Sequence, residues 1–199
     1  MALIKSDKYV KVKSILFVLL LVSCSCFSQQ IKYSVAKNLW ADTLGNHRAV
    51  IEVDKNADAV EVKINWRRRD EDAANKAIMI TDEKGNRVKN IYRININRER
   101  GDFAFEPTSG AGKYFVYYYP WSGRKLDGGF EGDYLKKEKS PDENWVSKNH
   151  LSKNRNEKLP LAKVLEIQAR TAFDSFYPME VGLAYSNSFV PILNGRTMN

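Results

Sequence analysis

An antiparallel β-sandwich, immunoglobulin-like or jelly-roll-like, is the fold class that this 199-residue chain predicts. Three observations point to it. Apolar and polar residues alternate through most of Asn46 to Trp121, which is the period-two signature of a half-buried strand. Gly, Asn and Pro turn signals recur about every ten residues along the same stretch. The hydrophobic fraction of 43% and aromatic fraction of 12% suit a packed globular core.

Each element can be justified in turn. Ile31 to Val35 suits an edge strand, and Asn38-Leu39-Trp40 is a short apolar patch before a turn at Gly45-Asn46. His47 to Val53 sets Ala49, Ile51 and Val53 on one face. Asp54-Lys55-Asn56 then turns the chain into Ala59 to Trp66, an arrangement that predicts a hairpin. Within that second strand Val60, Val62, Ile64 and Trp66 point one way and Glu61, Lys63 and Asn65 the other. Ala77 to Thr81 carries a continuous apolar run, and Asp82 to Asn86 is a hairpin turn in which Gly85 is free to take positive φ, with Val88 to Ile96 as the partner strand. A turn at Arg98 to Gly101, a short strand at Asp102 to Phe105, a loop at Pro107 to Gly112 and a strand at Lys113 to Trp121 complete the sandwich at 31–121.

The composition then shifts to Lys, Asp, Glu, Asn and Gly, which predicts a long polar loop or strap over 122–160. Leu161 to Phe173 fits both a strand and, in part, a helix. A last strand from Ala162 to Arg170, with Leu165, Ile167 and Ala169 on one face, is preferred. A short C-terminal helical turn ending before Pro178 follows. The range 161–181 therefore holds the last strand and the start of a linker, and 182–199 reads as an irregular tail.

The N-terminus reads as a targeting segment. Lys5, Lys8, Lys11 and Lys13 form a positive n-region, and Ile15 to Val22 is an unbroken apolar core too short to span a bilayer. Two cleavage sites compete. Leu21-Val22-Ser23-Cys24 resembles a bacterial lipoprotein box, which would remove 1–23 and leave a lipid on Cys24; Cys26-Phe27-Ser28 suits ordinary cleavage after residue 28. Either way the expected location is periplasmic, cell-surface or extracellular, with membrane contact only through such an anchor. No cysteine follows Cys26, so no disulfide staples the domain. About 170 remaining residues can bury enough surface to fold without one.

The formal charge of +8 overstates the basicity of that domain. Residues 1–28 hold four lysines and one aspartate, which leaves 28 basic against 23 acidic residues. The excess is spread along the chain, and a nucleic-acid partner is not expected.

Two clusters stand out as candidate sites. Arg67-Arg68-Arg69-Asp70 offers guanidinium forks for a carboxylate, sulfate or phosphate; the plainer reading is a solvated strand end paired with Asp70, Glu71 and Asp72. The aromatic run from Tyr114 to Trp121 offers Tyr117, Tyr118, Tyr119 and Trp121 as a carbohydrate-stacking platform. Strand alternation divides it into Tyr114, Val116 and Tyr118 on one face and Phe115, Tyr117, Tyr119 and Trp121 on the other. One set belongs to the core. Burial under the polar segment or a neighbouring domain is the favoured reading of the other.

No catalytic residue, metal ligand or cofactor is identified. No pair of acids has an apolar setting that would mark a hydrolase, and His47 and His150 lack cysteine or carboxylate neighbours at metal-binding spacing. Asp174 and Glu180 flank an aromatic turn and suit linker roles. Gly110-Ala111-Gly112-Lys113 lacks phosphate-loop spacing and precedes a strand.

Four stretches carry a family likeness: Gly45 to Val50, Trp66 to Asp70, Gly112 to Tyr118 and Phe176 to Val181. Their order and spacing resemble the N-terminal β-sandwich region of exported bacterial proteins related to family 123 glycoside hydrolases. The resemblance implies a sandwich that precedes a (β/α)8 barrel with an Asp-Glu pair assisting hydrolysis through the substrate's N-acetyl group. No such barrel fits within this chain, which reads as a truncated or standalone accessory domain. The expected function is a noncatalytic exported module that supports a catalytic barrel or weakly binds a glycan. The alternative is a cell-surface protein-interaction or structural module, with or without a lipid anchor.

Overall fold

A computed structural model describes residues 31–66, 68, 72–126, 129–152 and 158–172, together with short strand segments within 183–197. Two sheets face each other across the main core. The larger runs in the order β1 (Lys32–Val35), β10 (Lys163–Ala169), β2 (His47–Val53), β7 (Gly112–Tyr117) and β4 (Met79–Asp82). Its neighbours are antiparallel except for β1 and β10. The smaller sheet is β3 (Val60–Asn65), β6 (Arg100–Phe105) and β5 (Ile91–Ile96), all antiparallel. A third sheet contains β8 (Trp121–Leu126), β9 (Gly129–Tyr134), β12 (Ser188–Val190) and β11 (Leu183–Tyr185), and β13 (Ile192–Leu193) pairs with β14 (Arg196–Thr197). The fold is mainly β and sandwich-like, as the sequence predicts.

The period-two pattern decides the core. Ala49, Ile51 and Val53 of β2 and Val60, Val62 and Ile64 of β3 are all buried, joined by Ile80, Phe103, Phe105, Tyr114, Val116 and Ile167. Each large apolar side chain removed from water in this way contributes roughly 1.5–3 kcal/mol before ordering costs. In β10 the pairing with β2 slips between Val164 and Glu166. That bulge sets Leu165 out of phase, so Ala162 and Val164 before it and Ile167 after it all pack against the same core. Simple alternation had grouped Leu165 with Ile167 and Ala169; the bulge breaks that grouping, and Leu165 is only partly buried.

Two expected hairpins are corrected by the structure. β2 and β3 lie in opposite sheets, β2 between β10 and β7 and β3 beside β6. Their connection, 54–59, arches across the sandwich so that the apolar faces of both strands meet in the core. The turn at Asp82 to Asn86 forms, with Gly85 at φ 85° and the Asp82 carboxylate accepting from the Lys84 and Asn86 amides at 2.9 and 2.8 Å. Only a single bridge, Thr81 to Arg87, follows it. The chain then crosses to the smaller sheet, where β5 pairs with β6. The turn at Arg98 to Gly101 does close the β5–β6 hairpin, with the Asn97 side chain accepting from the Glu99 and Arg100 amides.

The described part of the polar stretch 122–160 is more ordered than a loop. It holds the β8–β9 hairpin and helix α1 (Glu143–Lys148). Asp142 caps α1 by accepting from the Trp145 amide at 3.0 Å. Trp145 and Leu151 then cover Ala59 and Ala104 on the outer face of the smaller sheet, in a satellite core, and the Trp145 indole donates to the Asp58 carbonyl at 2.8 Å. Between hairpin and helix the chain is stapled down by Glu138. Its carboxylate accepts from Arg93 Nε and Nη2 at 2.6 Å each and from the Ile78 amide at 3.1 Å. The helical turn expected before Pro178 lies largely outside the described residues. Among the described residues no helix is long and apolar enough to cross a membrane.

Candidate functional site

The two clusters singled out in the sequence meet at one end of the sandwich. Trp66, one residue beyond β3, donates from its indole to the Asn97 carbonyl at 2.8 Å. Its ring centroid is 5.1 Å from that of Tyr118, Tyr118 is 4.8 Å from Tyr119, and Tyr119 is 6.1 Å from Tyr134. Two cations lie on this string of rings. The Arg68 guanidinium sits 4.9 Å from the Tyr119 ring and 5.7 Å from Trp66, and the Lys76 ammonium 5.9 Å from Tyr134. Such contacts favour a cation once water is removed, and Arg68 and Lys76 are both buried.

Local chain geometry brings these groups together. β7 ends at Tyr117, and alternation ends with it, so Tyr118 and the following Tyr119 both enter the core. Gly45, at φ 89°, lets the preceding turn lie against Tyr119, where an added Cβ would approach the Tyr119 Cβ and carbonyl oxygen to 2.8 Å. The Trp121 indole donates to the Asp42 carbonyl of the same turn at 2.7 Å. The Tyr118 hydroxyl is fully buried without a hydrogen-bond partner among the described residues. Burial pushes its pKa above the ordinary 10.0, Tyr33 adds to the rise and Arg68 opposes it, so it stays protonated near neutral pH.

A second cluster occupies the outer face of the five-stranded sheet. The Arg48 guanidinium lies 3.9 Å from the Phe115 ring centroid and 4.4 Å from that of Trp40. It donates to Gln168 Oε1 at 2.8 Å and to the Tyr117 hydroxyl at 3.1 Å. The row continues across the sheet as Gln168 Nε2 donates to Glu166 Oε1 at 2.6 Å and Ser34 Oγ to Glu166 Oε2 at 2.8 Å. The Trp40 indole closes back on the Gly45 carbonyl at 2.7 Å. Arg48 therefore covers ring faces that a sugar would otherwise stack upon.

All four residues of the expected carbohydrate platform are buried, Tyr118, Tyr119 and Trp121 in the core and Tyr117 on the outer face beside Arg48 and Trp40. Tyr117 is 4% exposed, Tyr118 0%, Tyr119 1% and Trp121 7%. The aromatic run supplies core and indole hydrogen bonds, not a flat exposed surface. The division into two strand faces fails at Tyr119 and Trp121 because a turn separates β7 from β8. Of the basic cluster, Arg68 is brought against Tyr119, whereas Arg67, Arg69 and Asp70 lie outside the described residues, as does Cys24. Asp174 and Glu180 lie outside them too. His47 is buried in the sandwich and His150 is exposed in the turn after α1. Ala111 of the glycine-containing loop donates from its amide to Asn56 Oδ1 at 2.7 Å, tying that loop to the arch between β2 and β3. Among the described residues no three His, Cys, Asp or Glu side chains gather as a cation site.

Sequence reasoning missed Trp40, Arg48, Lys76 and Tyr134. Arg48 was accessible in principle, since β2 alternation sends it to the face opposite Ala49 and Ile51. Lys76 and Tyr134 join the ring string only through packing between segments far apart in sequence, which no local pattern records. An open cleft of about 430 Å3 lies beside this end, between Asp72–Ala74 and Ile96–Glu99.

A family profile described as the glycoside hydrolase 123, N-terminal domain, matches residues 38–170. The matched span runs from just before Trp40 to just past β10, and so takes in both facing sheets except β1. No curated protein and no solved structure matches the chain. Among the described residues the sheets form no closed barrel. With most of its length covered by that profile, the chain belongs to the glycoside hydrolase 123 N-terminal domain family.

Proposed function

We propose that this domain is a noncatalytic accessory module of an exported glycan-degrading system, and that it works by contact with a catalytic domain. Membership of a family defined as an N-terminal domain supports the pairing with another domain. The burial of Tyr117, Tyr118, Tyr119 and Trp121 carries the choice of contact over sugar stacking, because a stacking platform needs exposed ring faces. Export is part of the same proposal and draws on the n-region lysines and the Ile15 to Val22 apolar core.

The test uses the chain purified after export from a bacterial host. It is expected to give no turnover above background on N-acetylhexosaminide reporters and no retention on a glycan array. Mixed with a catalytic barrel of the same family, it is expected to comigrate with the barrel and to raise its melting temperature progressively, with the logarithm of the concentration added once that exceeds the dissociation constant. Turnover would overturn the noncatalytic reading. Specific glycan retention without barrel binding would replace contact with carbohydrate recognition. The mass of the exported chain decides between a lipid on Cys24 and a start at Gln29.

A further inference from the structure

We infer that the corner of the five-stranded sheet built around Trp40 docks acidic side chains of the catalytic domain, with Arg48 and Arg170 as their partners. The inference rests on the proposed contact with that domain and names its surface and its chemistry.

Two guanidinium groups converge on Trp40. That of Arg48 lies 4.4 Å from its ring centroid, and Arg170 donates from Nε to its carbonyl at 2.8 Å. Both belong to the outer face. Arg48 stands opposite Gln168 in the β2–β10 register. The Arg170 amide donates to the Asn46 carbonyl at 2.7 Å, which carries that ladder one pair past Ala169 and His47. Alternation then returns Arg170 to the side of Gln168 and Arg48. Beside Trp40, Leu39 is 64% exposed, and Lys37 is exposed two residues before it.

Neither arginine has a carboxylate partner among the described residues. Elsewhere in the sandwich Arg93 binds Glu138 at 2.6 Å and Arg100 binds Asp102 at 2.7 Å. Glu166, in the same row as Arg48, accepts from Gln168 and Ser34 and lies 3.9 Å from Lys32. Asp42 accepts from the Thr43 amide. Arg48 bonds Gln168 through Nε and Tyr117 through Nη1. Its Nη2, and both terminal nitrogens of Arg170, bond no described group and are not sealed from water.

This arrangement fits carboxylates. A guanidinium is always charged and presents its donors in a planar fork. Stacking and the bonds to Gln168, Tyr117 and Trp40 already hold both side chains, so docking orders little that was free. A polypeptide fits better than an acidic sugar. Arg48 takes the faces of Phe115 and Trp40 that a sugar ring would need, and exposed Leu39 sets an aliphatic contact beside the charges, as protein interfaces do.

Calorimetric titration of a catalytic barrel of the same family with the exported, purified chain, over a sodium chloride series, tests this. The wild type is expected to bind, and to bind more weakly as salt rises. Arg48→Met and Arg170→Met are each expected to weaken binding by about tenfold or more and to flatten the salt dependence. Arg48→Lys keeps the charge without the fork and is expected to fall between wild type and Arg48→Met. Leu39→Asp, at an exposed position that makes none of these bonds, sets a carboxylate against the incoming acids; it is expected to weaken binding by about tenfold with the melting of the free chain unchanged. Lys89→Gln, an exposed cation between β4 and β5, is expected to change affinity by less than about twofold. Binding that ignores salt, or that survives Arg48→Met, Arg170→Met and Leu39→Asp unchanged, overturns the inference and leaves contact with the barrel standing. A wild type that binds no barrel overturns both. Retention on hyaluronate that Arg48→Met abolishes assigns the corner to an acidic glycan, and a dimer of this chain abolished by the same variant assigns it to a second copy; either overturns the inference.

Discussion

Replacing Gly101 with alanine adds one methyl group where the structure has no room for it. Gly101 sits in β6 opposite Ile64, and a Cβ there would fall within the six-membered ring of Trp66, against its Cη2, Cζ3 and Cζ2. The ring has no easy retreat. Trp66 is 1% exposed, lies against Tyr118 at 5.1 Å and is tethered through its indole to the Asn97 carbonyl. Overpacking a tight core costs about 1–3 kcal/mol; a displaced ring also gives up a hydrogen bond worth about 1 kcal/mol. Gly101→Ala is therefore expected to cost about 3 kcal/mol, lowering the urea midpoint by about 1–2 M at unchanged slope. In a Trp66→Phe background, where those distal ring atoms are absent, the same substitution is expected to cost less than about 1 kcal/mol. A coupling energy near zero between the two sites would refute the steric account.

Gly85→Ala is expected to cost about 1 kcal/mol for a different reason, since nothing lies within 4 Å of an added Cβ but φ is 85°; a loss far above that in urea titration would point to an unseen clash. Asp82 accepts from Ser109, from the Asn86 side chain and amide and from the Lys84 amide, which together hold its pKa down from 3.8 to about 2. A carboxyl depressed on folding stabilises most above its unfolded pKa, so this contribution is expected to be complete above about pH 4 and to disappear as pH falls toward 2. Asp82→Asn removes that slope, and thermal melts of both proteins across the window test it. Arg93 and Glu138 are 12% and 7% exposed, so Arg93→Met is expected to cost about 3–5 kcal/mol by stranding a buried carboxylate. Adding Glu138→Leu recovers only part of this in denaturant titrations, because the Ala74 and Lys76 carbonyls lose the Arg93 donors and the Ile78 amide loses its acceptor.

Strand identity and core face were legible because both depend on neighbours in sequence. Val60, Val62, Ile64 and Trp66 were grouped by alternation and are all buried. Pairing was less legible. The arch between β2 and β3 and a hairpin would share the same turn residues, and only the need of both strands to bury one apolar face against the other selects the arch. Helix α1 was hidden by its brevity, although Pro141 followed by Asp142 as N-cap ahead of Trp145 is a readable start signal. Reading the aromatic run as a single strand overextended alternation past Tyr117. Its partners there, Arg68, Gly45 and Asp42, come from segments that only the folded chain assembles.

The unequal width of the two sheets explains where binding capacity can reside. Three strands cannot cover five, and the smaller sheet already has α1 and Trp145 on its outer face. Its edges are closed by 160–162 and by the Glu138 strap. In the larger sheet, too, the described surfaces are engaged. Its outer face is occupied by the Arg48 row, which engages the rings and amides it would need for a ligand. Its β4 edge is covered by the chain's own return, with Val88 N donating to Ile80 O and Ala77 N to Leu135 O. With Tyr117, Tyr118, Tyr119 and Trp121 buried and Arg48 lying over Phe115 and Trp40, these rings present little open face on which a sugar could stack.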